Sequence, residues 1–401
     1  MLTITKSEKN SMIFENLYLI LYSVILTINL LGTTMFYIPW PKFTTIVLLE
    51  VMLIILGAKI ILIDKRNNKE MFLYLILFIG FFGAFLNTGY AFLIFDLILI
   101  LGAKNVSFKK VIKLFCVISG IIIIITMLSS QFGLVENLIY ERGNRSRISF
   151  GFEYPTDFTA HIFYLVMGYC YLRKEKLMYL ELAGIFALSL FTYIFCDART
   201  NAISLFMTFA VFLYLKIRNQ ASGKKGTCYV MNPKFSKILA FAMPLCAFAF
   251  IALTFLYHFQ PTNSLMKAIN KLVSGRLELG AVGFERYGFS FFGNAFQMNG
   301  FGGSTSPRMD YFFLDSSYVL LLIRYGSLVL LAVLVIFSLV SLRAEKQKDF
   351  HLLWILALIA VQCTIEHHLL EIAYNPFLFL LLTESLSLKK SYLHPLTIHG
   401  K

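Results

Sequence analysis

Three arginines of this chain could bind an anion. Arg145 and Arg147 lie two positions apart in a polar loop that leads into Pro155-Thr156-Asp157, and Arg199 directly precedes Thr200 at the start of a further apolar segment. A guanidinium group presents a planar fork that binds two phosphate or carboxylate oxygens at once, whereas lysine offers a point charge. We therefore predict a pyrophosphate-like anion site at these arginines. The alternative is that they contact lipid headgroups.

Three more arginines extend this predicted site. Arg276 and Arg286 belong to a long glycine-rich segment, and Arg324 lies inside an apolar segment. The glycine content of the segment is typical of a mobile cover over an anionic substrate, although a solvated loop would carry the same residues. A guanidinium buried in an apolar segment is costly, so Arg324 is expected to face a cavity or an ion-pair partner.

A polar cluster near the C-terminal end, Glu366-His367-His368 followed by Glu371, could supply a general base. The competing interpretation is a metal site. Adjacent histidines point about 100° apart on a helix, and no third ligand is evident, which weighs against a metal. The long polar loops also lack an Asp-x-Asp pair that could hold a cation on a diphosphate. We predict chemistry that uses no metal and no other cofactor.

Asp157 is a further candidate base, because it stands at the start of an apolar segment directly after the arginine loop. His161 follows at the i, i+4 position, so it either lines the same cavity or is held by the carboxylate of Asp157. The predicted base is therefore one of Asp157, Glu366, His367 and His368.

The segments that must position these residues are apolar. The chain is 58% hydrophobic and 14% charged, with mean hydropathy +0.73, whereas soluble domains are about one-quarter charged. A membrane span needs about 20 apolar residues. The pattern predicts an all-α polytopic membrane protein with about twelve spans, at residues 15–36, 43–63, 71–86, 88–102, 111–129, 156–172, 177–196, 200–217, 237–257, 316–341, 351–367 and 370–387.

Basic residues predict the orientation of these spans. With the N-terminus placed inside, every inner loop is basic, so both termini are expected to be cytoplasmic and the net charge of +14 needs no nucleic-acid partner. Inner loops carry mostly lysine, and outer loops carry mostly arginine. We predict a single integral membrane domain, 1–401, whose outer loops 130–155 and 258–315 form the active-site face. The second loop is expected to hold one or two short helices.

Six short motifs, in this order, resemble a known family: Arg145-Ser-Arg147 leading to Tyr154-Pro155-Thr156, Asp197-Ala-Arg199-Thr200, Gly275-Arg276, Gly300-Phe-Gly-Gly303, Asp315-Ser-Ser-Tyr318 with Arg324-Tyr-Gly326, and Glu366 followed by Asn375-Pro376-Phe377. Together with the pattern of about twelve spans, they make most of the chain similar to the Wzy-type polysaccharide polymerases of the O-antigen polymerase and ligase superfamily. The chain departs from that pattern at Thr156, where asparagine is common, and at Asp197-Ala198, where serine or glycine is common.

The resemblance implies a GT-C-like membrane glycosyltransferase of the bacterial plasma membrane, acting in capsule, exopolysaccharide or O-antigen synthesis. It implies transfer of a growing glycan from undecaprenyl pyrophosphate to the non-reducing end of a lipid-linked repeat unit. The chain-length regulator and flippase of the same pathway become expected partners. Arg145, Arg147 and Arg199 would hold the pyrophosphate, and Arg276 would bind the same pyrophosphate or the second lipid-linked substrate.

Two other functions remain open. A ligase of the same superfamily would move finished glycan to another acceptor, and the sequence does not separate it from a polymerase. A repeat-unit flippase belongs to a different class and would have charges along a cavity at the membrane midplane, often with pseudo-symmetric halves. Here the arginines gather at one predicted face, and no internal repeat is evident.

Overall fold

The chain is a mostly helical membrane protein. The computed structural model describes residues 6–36, 42–64, 67–221, 231–301, 303–305 and 310–383. Within these residues, eight helical segments are long and apolar enough to cross a membrane. They are Ser11–Leu31, Ile46–Ile63, Glu70–Thr88, Phe108–Gln131, Tyr179–Cys196, Arg199–Gln220, Ala242–Phe259 and Ser327–Lys346.

Most of the α-helices follow one another closely along the chain, but two longer segments, 132–154 and 288–316, separate some of them. In order they are α1 Lys6–Leu31, α2 Lys42–Ala58, α3 Asn68–Thr88, α4 Phe92–Gly102, α5 Phe108–Gln131, α6 Pro155–Arg173, α7 Tyr179–Cys196, α8 Arg199–Ala221, α9 Pro233–Ala240, α10 Ala242–Phe259, α11 Ser264–Leu272, α12 Arg276–Tyr287, α13 Ser317–Leu320, α14 Ser327–Lys346 and α15 Phe350–Gln362. Single π-helical turns extend α2 and α13, at Lys59–Ile63 and Leu321–Tyr325. Short 3-10 helices occur at Lys174–Lys176 and Pro376–Leu382.

α6 is the helix around which the site is built. It packs against α5, α7, α8 and α15, and most of its residues are buried. Its polar side chains, including Asp157, Thr159 and His161, would be costly against lipid, so they face protein instead. α5 shows the opposite pattern, because Ile121 and Ile124 on its outer surface are exposed, as suits a helix that borders lipid.

Near the C-terminal end, the helices differ from the predicted spans. The predicted span 316–341 is divided at Gly326, between the π turn after α13 and the start of α14. In the predicted span 351–367, helix α15 ends at Gln362, because residues that follow it bond to other segments. The described part of 370–387 holds turns and a 3-10 helix. The number of twelve spans stays a prediction: in the part of the chain that the structure describes, the shorter apolar helices α4 and α15 add to the eight long segments.

Both long loops contain regular structure. Residues 258–315 hold α11 and α12, so the prediction of short helices there is confirmed. In 130–155, β1 (Ile139–Arg142) and β2 (Arg145–Ile148) form an antiparallel hairpin. Its two-residue turn is Gly143-Asn144, and Gly143 has the positive φ, 62°, that such turns require. The sequence prediction missed this hairpin, although a Gly-Asn pair between two strand-like runs is a hairpin signal.

Two glycines bring the α13–α14 junction against the segment that follows α12. Gly293 has a φ of 81° and Gly326 a φ of 95°. A Cβ at Gly326 would lie 2.4 Å from the backbone nitrogen of Gly293 and from the carbonyl oxygen of Phe291. A Cβ at Gly293 would lie 2.3 Å from the carbonyl oxygen of Arg324. The two segments therefore meet backbone to backbone, and no side chain fits between them.

We expect Gly326→Ala to lower stability by about 1–3 kcal/mol, because the new Cβ overlaps backbone atoms at a positive φ. The thermal unfolding temperature of the detergent-purified protein measures this loss. Gly184→Ala is the matched control: it lies within α7, and a Cβ there meets nothing within 4 Å. An unfolding temperature for Gly326→Ala equal to that of the control would contradict this packing.

Candidate functional site

Two cavities adjoin at one end of the helix bundle, where α6, α8 and α12 begin. The first, here called the arginine cavity, has a volume of about 400 Å³ and contains Arg142, Arg147, Arg199 and Arg276 in its wall. The second, the histidine cavity, has a volume of about 320 Å³ and contains Asp157, His367, His368, Glu371 and Tyr374. They share one wall, made of Tyr154, Thr156, Phe301, Tyr311 and Asp315.

The hairpin positions the first two predicted arginines. Side chains alternate between the two faces of a strand, so Arg145 and Arg147 of β2 point the same way, towards the end of α7. There Asp197 has a left-handed backbone, with φ 41°, and its side chain is 2% exposed. Its Oδ1 accepts hydrogen bonds from Arg145 at 3.1 Å and from Arg199 at 3.2 Å. One carboxylate thus holds two half-exposed guanidinium groups, which leaves a net positive charge at the rim.

Arg147 is the more deeply buried of the hairpin arginines, with 7% of its surface exposed. Its Nε donates to the carbonyl oxygen of Cys196 at 3.2 Å, and its NH1 donates to the hydroxyl of Tyr154 at 2.9 Å. The guanidinium carbon also lies 5.1 Å from the centre of the Tyr154 ring. These bonds use two of the five N–H donors of the group, so a bound anion can accept from the others.

Arg276 connects the two cavities. α12 begins at this residue, directly after Gly275 in the left-handed conformation. Its Nε donates to the carbonyl oxygen of Ile365 at 2.6 Å, and its NH2 lies 3.5 Å from Oε1 of Glu366. Its Nε also lies 3.8 Å from Oδ2 of Asp315. The side chain therefore lines the arginine cavity with one edge and holds the segment behind the histidine cavity with the other.

Glu366 is held in place rather than presented to a cavity. It is 2% exposed, and its Oε1 accepts from Asn201 Nδ2 at 3.2 Å as well as facing Arg276. Burial raises the pKa of Glu366 to about 8, although Arg276 opposes the shift. Glu366 is not among the lining residues of the histidine cavity, so of the four predicted bases it is the one that substrate would not meet.

The other three predicted bases, Asp157, His367 and His368, line the histidine cavity together. Glu371 bonds to both histidines: its Oε2 lies 2.9 Å from Nδ1 of His368, and its Oε1 lies 3.3 Å from Nε2 of His367. Burial raises the pKa of Glu371. Burial lowers the pKa of each histidine to about 3, so both rings are neutral at neutral pH.

Three stacked rings support this wall. Tyr374 lies between His161 and His368, with ring centres 3.8 Å and 3.6 Å away. The Nε2 of His161 also lies 2.9 Å from the hydroxyl oxygen of Thr33, which follows the C-terminal end of α1. His161 thus takes neither of its two predicted positions, because it is behind the cavity wall and bonds to a residue far away in sequence.

The two histidines are not arranged as the prediction of a metal-free site assumed. His367 and His368 do not lie on a helix, since α15 ends at Gln362 and turns follow. Their ring centres are only 4.0 Å apart. Glu366, His367 and His368 each offer one donor atom, and these atoms lie within 4.8 Å of one another. Glu366 is the third possible ligand that the sequence pattern did not reveal.

Three of the six predicted arginines are absent from the lining of both cavities, and one of them, Arg145, still contacts Asp197 at the rim. Arg286 is exposed at the end of α12, with its guanidinium carbon 5.2 Å from the centre of the Phe312 ring. Arg324 lies in the π turn after α13, and its guanidinium carbon lies 4.3 Å from the centre of the Tyr90 ring. Among the described residues, the guanidinium group of Arg324 contacts the rings of Tyr90, Phe296 and Tyr325 rather than a carboxylate.

Sequence reasoning missed several residues of the site. Arg142 lines the arginine cavity because the hairpin returns it beside Arg145, and the Gly-Asn turn was the available signal. Asn201 is fully buried, and its Nδ2 donates to Thr159 Oγ1 at 2.7 Å as well as to Glu366. No spacing in the sequence relates residue 201 to residue 366, so that contact was not predictable.

A comparison of the chain with protein-family models, with curated proteins and with solved structures finds no match in any of the three.

We expect Asn201→Ala to destabilise the protein by about 1–3 kcal/mol, because Glu366, Thr159 and Gln362 each lose a buried hydrogen-bond partner. Thermal unfolding in detergent measures the change. Asn68→Ala, at an exposed position at the start of α3, serves as the control with the same side-chain deletion. Equal unfolding temperatures for the two variants would mean that the Asn201 network contributes little.

Proposed function

We propose that this protein is a membrane glycosyltransferase that polymerises a polysaccharide. It transfers a growing glycan from undecaprenyl pyrophosphate to the non-reducing end of a lipid-linked repeat unit, on the extracytoplasmic face of a bacterial plasma membrane. The observation that supports this proposal best is the pair of adjoining cavities, one basic and one with carboxylates and neutral histidines, which share a wall. Such a pair suits a reaction that releases an anion on one side and removes a proton on the other.

The arginine cavity suits the leaving group. When the bond between the anomeric carbon and the pyrophosphate oxygen breaks, negative charge develops on the pyrophosphate, and preorganised donors stabilise that charge. Arg147 and Arg276 are buried and held by carbonyl oxygens, so they need little reorganisation. Arg199 and Arg142 add positive charge at the rim. Helix α8 begins here too, and the N–H groups of its first turn favour an anion as well.

The histidine cavity suits the acceptor sugar. Its hydroxyl oxygen forms the new bond to the anomeric carbon, and its proton passes to a base in the wall. Asp157, His367 and His368 are the candidates that line this cavity, and Glu371 orients both histidines. The aromatic side chains of the shared wall, Tyr154 among them, offer flat surfaces for sugar rings.

The membrane setting is consistent with a lipid-linked substrate. The cavities lie at the ends of membrane-crossing helices, where a pyrophosphate headgroup would meet its polyprenyl chain. In the predicted topology this end faces outward, where nucleotide sugars are absent and a donor must bring its leaving group on a lipid. The chain-length regulator and the flippase of the pathway are the partners that this function would require.

We expect Arg147→Lys to lower polymer formation by about 100-fold. Lysine keeps the positive charge, but its single ammonium group cannot donate to Cys196 and Tyr154 and at the same time bind two phosphate oxygens. The assay follows chain length after purified protein in liposomes is given repeat units linked to undecaprenyl pyrophosphate. Arg218→Lys is the control, since it makes the same change in the last turn of α8, at the far end from the cavities.

Three outcomes of this assay would contradict the proposal. Full activity of Arg147→Lys would remove the argument from two-point phosphate binding. Attachment of finished glycan to a different acceptor, without longer chains, would indicate a ligase. Movement of repeat units across the bilayer with no new glycosidic bond would indicate a flippase.

A further inference from the structure

The donor atoms of Glu366, His367 and His368 lie close together at the wall of the histidine cavity. They lie within 4.8 Å of one another. A tetrahedral zinc ion with bonds of about 2.0–2.1 Å places its ligands about 3.4 Å apart. Side-chain rotations that bring each donor about 1 Å closer would complete such a site, which is a small movement for three residues in an irregular segment.

Each residue of this cluster has one polar atom engaged and another one available. His367 and His368 use one ring nitrogen each on Glu371, whereas Nδ1 of His367 and Nε2 of His368 are buried without a hydrogen-bond partner among the described residues. Asn201 and Arg276 both contact Oε1 of Glu366. The other oxygen, Oε2, lies 3.7 Å from Nε2 of His368.

Glu371 has the position of an outer-shell partner. Metal-bound histidines commonly donate their second ring N–H to a carboxylate, which sets the tautomer and aims the lone pair of the other nitrogen at the ion. Here one carboxylate can do this for two histidines at once.

We propose that Glu366, His367 and His368 form a binding site for a divalent transition-metal ion, with zinc as the best-fitting ion. Two imidazole nitrogens and one carboxylate oxygen favour zinc and its neighbours over magnesium or calcium, which prefer oxygen ligands. Three protein ligands leave a fourth position of a tetrahedral ion open. That position adjoins the histidine cavity, into which His367 and His368 both face.

An ion in this position would change the roles of its ligands. A coordinated imidazole nitrogen has no lone pair for a proton, so Asp157 would be the remaining candidate base in the cavity wall. A sugar hydroxyl or a water in the open position would become more acidic. The site itself does not depend on the proposed glycan transfer, because metal binding is measurable with no sugar or lipid-linked substrate present.

The test uses the full chain, purified with a histidine-free affinity tag and treated with a chelator. We expect about one zinc ion per chain by elemental analysis after reloading, and a cobalt absorption spectrum typical of tetrahedral coordination. The variants are His367→Gln, which removes a ligand, and Glu371→Gln, which removes the outer-shell carboxylate. We expect each to weaken metal binding by at least about tenfold. His258→Gln in α10 is the control, and it should bind metal as the unchanged protein does.

Thermal unfolding without metal shows whether each variant is folded, so a loss of binding by an unfolded variant is recognised. Glu366→Gln is left out of the set because it would also disturb the contacts with Arg276 and Asn201. Less than about one-tenth of an ion per chain after reloading would overturn the proposal. Equal affinities for the His367→Gln, His258→Gln and unchanged proteins would overturn it as well, because the ion would then sit elsewhere.

Discussion

The buried guanidinium group of Arg276 is the contact on which the rest of this site depends. A buried charge is costly unless it is paired and hydrogen-bonded, and here the carbonyl oxygens of Val273 and Ile365 and the carboxylate of Glu366 supply the partners. Val273 lies between α11 and α12, and the other two lie in the irregular segment after α15. One side chain thereby joins a long loop to the segment that carries both histidines, and it lies at the boundary of the two cavities.

That boundary separates groups of opposite chemistry. Arg147 and Arg199 remain on the basic side, where Asp197 neutralises only part of the charge. The neutral histidines and Asp157 remain on the other side. The shared wall separates the arginines from the histidines and Asp157, so these groups do not pair with each other. An anion can therefore approach the arginines while a hydroxyl group or a metal ion approaches the histidines. Glycan transfer from a lipid pyrophosphate, as proposed, would need both environments side by side.

The fold was predictable where a local pattern was strong. The long apolar segments, the helix start at Pro155 and the short helices α11 and α12 all follow from composition and spacing. The prediction failed where distant contacts override a local pattern. The predicted span extended to residue 367, but Ser317 donates to the carbonyl oxygens of Cys363 and Glu366, and a turn follows α15 instead. The hairpin is a different case, because its Gly-Asn turn was readable and was missed.

The sequence by itself determined the membrane class of this protein, because hydropathy and span length depend only on residue type and order. It also singled out Arg147, Arg199 and Arg276, because the use of arginine where lysine would supply the same charge can be read directly from the sequence. Only the tertiary structure decided that these three share a cavity, that Arg286 and Arg324 lie outside it, and that Glu366 stands behind His368. Arg147 and Arg276 lie 129 positions apart in the sequence, and the packing of distant segments brings them to the same cavity.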